Sequence, residues 1–137
     1  MKIKTSELIG PALDWAVAEC LDYVVEFEGY YDDEQDREII IRLHGPEVPG
    51  RYAGNTEWHP SADWSQGGPI IHQNHIGIYH DDGRWYAVNP RIRPKSKWLF
   101  SGPDGLVAAM RAYVAYKLGK EVEVPEELME STQRSEK

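Results

Sequence analysis

Gly102-Pro-Asp-Gly-Leu-Val-Ala-Ala-Met-Arg-Ala-Tyr-Val-Ala-Tyr-Lys-Leu-Gly119 carries the clearest periodicity of the chain. Leu106, Ala109, Met110, Tyr113, Val114 and Leu118 recur at three- and four-residue spacing, which predicts a helix with one buried face. Pro103 suits the first helical position, where its missing N–H would have no partner anyway. Lys117 near the end and Gly119 beyond it mark the stop. The many alanines permit close packing on a sheet. Gly10-Pro11 repeats the device at the other end of the chain, ahead of a run in which Leu13, Ala16, Val17, Cys20 and Leu21 share a face.

Between the two helices the pattern turns to strands. Tyr23-Val-Val-Glu-Phe-Glu28 and Glu38-Ile-Ile-Ile-Arg-Leu-His44 are rich in β-branched and aromatic residues and are separated by an acidic turn. Pro69-Ile-Ile-His72, Ile76-Gly-Ile-Tyr-His80 and Arg84-Trp-Tyr-Ala-Val88 read as three more, the last two joined by the hairpin signal Asp81-Asp-Gly83. Residues 45–54 are rich in glycine and proline, and residues 90–97 read as a mobile connector. Helix, strands, helix is the order of an α+β domain, a small antiparallel sheet with two helices packed on one face. One domain over residues 1–126 and a polar, flexible tail over 127–137 fit a chain of 137 residues.

Composition narrows the function classes. A net charge of -8, from 23 acidic against 15 basic residues, disfavours a surface for duplex nucleic acid, which must neutralise phosphates. The run Arg91-Ile-Arg-Pro-Lys-Ser-Lys97 reads as a solvated loop with room for a small anion. Cys20 is a lone cysteine, so no intrachain disulfide forms, and a place inside an apolar helix predicts a buried, unreactive thiol suited to a reducing cytoplasm. No apolar run approaches the roughly 20 residues that span a bilayer, and the first residues lack the apolar segment of a signal peptide.

Trp58-His-Pro-Ser-Ala-Asp-Trp-Ser-Gln-Gly-Gly-Pro-Ile-Ile71 combines two indoles, hydrogen-bonding side chains and paired glycines, and its part from Trp58 to Pro69 reads as a loop. Trp58, Asp63, Trp64, Gln66, Gly67 and Gly68 form the candidate ligand-binding set. An indole face stacks on a purine, Asp63 accepts from a hydroxyl or amine, and the glycines offer N–H groups to phosphate. The alternative is scaffold: Trp64, for which the core is favoured, as an anchor, Asp63 as a turn cap, and Gln66-Gly-Gly68 as a bend. Arg111 is a second-rank candidate for an anionic group, with a structural salt bridge as its alternative. Asp104 reads as a plain helix cap and Asp14 as a carboxylate that stabilises a helix start. His44, His59, His72, His75 and His80 do not fall into metal-ligand spacing, so no metal or other cofactor is expected. No nucleophile-elbow or phosphate-loop sequence supports an enzyme. Tyr79, Trp85 and Tyr86 alternate along a hairpin, which puts at least one aromatic outside the helix-covered face and suggests a homo-oligomer contact.

Residues 6–18, 60–71, 102–119 and 121–127 resemble the NinX family of lambdoid phages and prophages. That resemblance implies a small phage accessory protein in the cytoplasm of an infected bacterium, without an established family-wide activity. A fainter similarity runs to phage proteins that sequester nucleotide immune signals, the Thoeris-antagonist sponges. Together these suggest a non-enzymatic binder of a small polar, nucleotide-type ligand. The second expectation is an acidic interaction module that blocks a host or phage protein, with Trp58 as its interface anchor.

Overall fold

The computed structural model describes residues 1–33, 36–44, 56–93 and 99–129. Its central element is α3, Gly105–Leu118, in which every residue from 105 to 114 is buried. The one-face reading of this helix is therefore corrected: it is apolar all round, interrupted within 105–114 by the single charge of Arg111, and such a helix has to be enclosed. Leu118, placed on the predicted face, is 40% exposed because the enclosed part ends a turn earlier. Pro103 also lies outside the helix. Asp104 is the N-cap, its carboxylate accepting from the Val107 N–H at 2.9 Å, as the cap reading expects.

The α+β class holds, and the strands divide among three small antiparallel sheets. The first is a ribbon of β1, Lys2–Lys4, and β8, Glu121–Glu123. The second joins β2, Val24–Asp33, to β3, Asp36–His44, and to the two-residue β4, Thr56–Glu57. The third joins β5, Gly77–Asp81, β6, Arg84–Val88, and β7, Leu99–Gly102. All three strands of the third sheet pack on α3, while α1, Gly10–Cys20, lies between α3 and the β2–β3 pair. A further helix, α2, Trp64–Gln73, also packs on α3. The two predicted helices are thus joined by α2, by a 3-10 turn at Thr5–Glu7 and by helical residues 126–129, and α1 and α3 do not share one face of one sheet.

The hairpin signal at Asp81-Asp-Gly83 is realised as read. Asp82 and Gly83 both have positive φ, 48° and 79°, and Asp81 pairs with Arg84, the geometry that a tight two-residue turn demands. Along this hairpin Ile78 and Ala87 face the core with Phe100, whereas Tyr79 and Tyr86 stack at 5.3 Å on the opposite face. An aromatic pair outside the helix-covered face is what alternation requires.

Pro69-Ile-Ile-His72 is not a strand but the second half of α2, and the supposed loop ends at Asp63. The physical reason is the cap: Asp63 Oδ1 accepts from the Ser65 N–H and hydroxyl at 2.8 and 2.7 Å. This nucleates a helix that two glycines and a proline conceal from propensity. The packed chain also runs past residue 126. Leu128 is fully buried and Met129 packs against the core. Residues 45–54, the second half of the connector at 90–97 and the end of the tail lie outside the described residues.

Candidate functional site

Asp14 is the pivot of a recess between α1 and the β3–β4 pair. It sits on α1, 5% exposed, and holds the segment from Trp58 to Ser61 at two points. Its backbone carbonyl accepts from the Trp58 indole at 2.9 Å, and its Oδ1 accepts from the Ser61 N–H at 2.9 Å. The Trp58 N–H donates to the Ile41 carbonyl at 2.7 Å, which continues the β3–β4 ladder by one bond. Gln66 locks the same strap from the α2 side, with Oε1 accepting from His59 N–H and Nε2 donating to the Glu57 carbonyl. A strap tied to three elements presents its side chains in fixed positions.

Pro11, Asp14, Glu57 and His59 join Trp58 and residues 39–41 in lining a cleft of about 120 Å³. That is smaller than the roughly 300–1,000 Å³ of pockets that swallow a drug-sized ligand, so it has room for no more than one ring or one polar head. Burial pushes the Asp14 carboxyl up to about 7, although its bonds to Ser61 and the nearby His59 pull the other way. His59 lies between carboxylates, Nε2 at 3.7 Å from Glu57 and Nδ1 at 3.9 Å from Asp63. Neither distance is a hydrogen bond, and His59 Nδ1 is a buried nitrogen without a hydrogen-bond partner. Buried polar atoms of this kind call for an explanation.

The sequence-predicted set is only partly assembled here. Trp58 is in the cleft wall but 6% exposed, its ring edge-on to Tyr23 at 5.4 Å, so it is a packed residue rather than an open stacking face. Trp64, expected in the core, is 59% exposed at the first turn of α2, because the cap turns the start of that helix outward. Asp63 caps, and Gln66 is 7% exposed with both amide atoms engaged. Neither glycine has positive φ. Gly67 is needed for close approach, since a Cβ there would stand 2.5 Å from the Pro60 carbonyl oxygen and 2.7 Å from Leu106. Gly68 has open space around its Cα. Arg111 is buried in α3 and donates to the Leu8 and Ser101 carbonyls at 2.7 and 2.9 Å, stitching the chain before α1 to β7.

Asp14, Glu57 and His59 were missed as a group. The signal was weak but present: an aspartate on the apolar side of an amphipathic run, and polar residues on both sides of Trp58. Burial also sets the Cys20 thiol high, at about 12, in keeping with an unreactive cysteine. Among the described residues no group of three histidine, cysteine or carboxylate side chains is arranged to hold a metal ion, and no helix is long and apolar enough to cross a membrane.

A model of the protein family described as "Bacteriophage P22, NinX" matches residues 4–117. The match includes α1, α2, all but the final residue of α3, and all the described cleft residues. No curated protein matches the chain.

Proposed function

The chain belongs to the bacteriophage P22 NinX family, and from that premise we propose a non-enzymatic phage accessory protein, acting in the cytoplasm of the infected bacterium, that holds a small polar ligand in the cleft beside Glu57 and His59. The ligand is of nucleotide type, and the protein sequesters it as a host immune signal. The observation that carries this reading is a recess with fixed walls, lined on its polar side by Asp14, Glu57 and the part-exposed His59. The cleft volume suits a base, with sugar and phosphate remaining outside.

The test is a thermal-shift screen of the purified protein against mono-, di- and cyclic nucleotides and NAD-derived molecules, with mass spectrometry of each hit. A binder melts later by an amount set by ligand concentration over the dissociation constant. Sequestration predicts a stabilising ligand recovered intact; a ligand recovered altered would make the protein an enzyme, and no shift would contradict the binding reading.

Trp64 favours a second reading. A 59% exposed indole on a protein of net charge -8 is suited to anchor a contact with a basic protein surface. Trp64→Ala separates the two: it leaves nucleotide stabilisation unchanged if the cleft is the site, and abolishes capture of a protein partner if the indole is.

A further inference from the structure

The cleft offers acceptors rather than cations. Asp14 and Glu57 line it, and among the described residues no lysine or arginine does. Arg42, which stands beside Glu57, also pairs with Glu28. The Asp14 Oδ1 is already engaged by Ser61. Glu57 differs: among the described residues its ion-pair partners, Arg42 and His59, stand at 3.7 Å, outside hydrogen-bond range, and its side chain is 48% exposed. Its lone pairs therefore remain available to a ligand. A carboxylate flanked by apolar walls binds best a planar group that presents two N–H donors side by side. Ile39, Ile41 and Trp58 supply such walls.

Guanine has that edge, its ring N–H lying next to its exocyclic amine. Adenine and cytosine each present a donor beside an acceptor, which leaves one carboxylate oxygen facing a lone pair. Phosphate finds no lysine or arginine lining the cleft among the described residues. We propose, resting on the ligand-binding reading above, that the cleft selects the guanine edge of its ligand, with Glu57 accepting the paired donors. The arginine guanidinium carries the same donor pair without the bicyclic surface that would fill the apolar part of the cleft, so it is the competitor that decides the source of the donors.

The experiment is calorimetric titration of the full chain with guanosine, adenosine and inosine 5′-monophosphates, free arginine and inorganic phosphate. Guanosine monophosphate binds about tenfold or more tightly than adenosine monophosphate, the discrimination that a good bidentate contact gives. Inosine monophosphate, which keeps the ring N–H and lacks the amine, falls between them. Glu57→Gln removes the preference while the melting temperature stays the same; if that variant melts early, Glu57→Asp, which keeps the charge, retains the preference at lower affinity. Adenosine monophosphate binding as well as guanosine monophosphate overturns the guanine assignment and leaves the ligand-binding reading intact. Arginine binding as tightly as guanosine monophosphate also overturns it, by placing the donors on a peptide side chain. Binding by no nucleotide overturns both.

Discussion

Asp14 both fastens the scaffold and lines the cleft. Its carbonyl and carboxyl fasten Trp58 and Ser61, and the segment they fasten carries Glu57 and His59. The carboxyl has its pKa raised from 3.8 to about 7, mainly by desolvation. Between those values the native protein holds a proton that the unfolded chain has released, so stability is greatest below the lower value and falls as the pH rises toward 7. The loss levels off above that and is on the order of a few kcal/mol for a shift of this size. Asp14→Asn keeps an oxygen for the Ser61 N–H and never ionises. Denaturant melts from pH 4 to pH 8 are expected to show the decline in the wild type and a much flatter profile in the variant. An unchanged slope would assign the titration to another group.

At the scale of elements, α2 is the most instructive. Its N-terminal carboxylate cap and a glycine in contact with Pro60 and Leu106 set it against α3. Gly67→Ala forces a methyl to within 2.5 Å of a backbone oxygen, and overpacking of this kind costs about 1–3 kcal/mol. Gly68→Ala, with open space at the same helix depth, is expected to be neutral or slightly stabilising through helix propensity. Thermal melts of the two variants check the pair, and an equal loss in both would remove the close-approach argument. The same element marks what the sequence could and could not disclose. The β5–β6 hairpin was legible because Asp82-Gly83 has a local geometric meaning, and β2 and β3 because β-branched runs do. Helix α2 was not, since Gly67, Gly68 and Pro69 look like a turn until tertiary contact with α3 justifies them. The enclosure of α3 was half legible. Its alanines announced close packing, but its period suggested one face, and only the presence of partners on all sides shows why Ala108 and Ala112 are as buried as Met110. The cleft was least legible, because Asp14, residues 39–41 and Glu57 to His59 meet only through tertiary folding.

The whole molecule is organised around α3, with a sheet on one side, α1 and α2 elsewhere, and the β1–β8 ribbon tying the two ends of the described chain together. The Met1 amino group donates to the Val124 carbonyl at 3.0 Å and the Thr5 hydroxyl to the Gly119 carbonyl at 2.6 Å. Helix α1, packed on α3, supplies Pro11 and Asp14 to the cleft, and the family match extends over every described residue that lines it. The most direct test of ligand binding there is an NMR titration of the ¹⁵N-labelled protein with guanosine 5′-monophosphate. The account predicts concentration-dependent shifts confined to the amides of residues 39–41 and 57–59 and those around Asp14. Shifts centred on Trp64 and Gly68, or on the outer face of the β5–β6–β7 sheet, would contradict it.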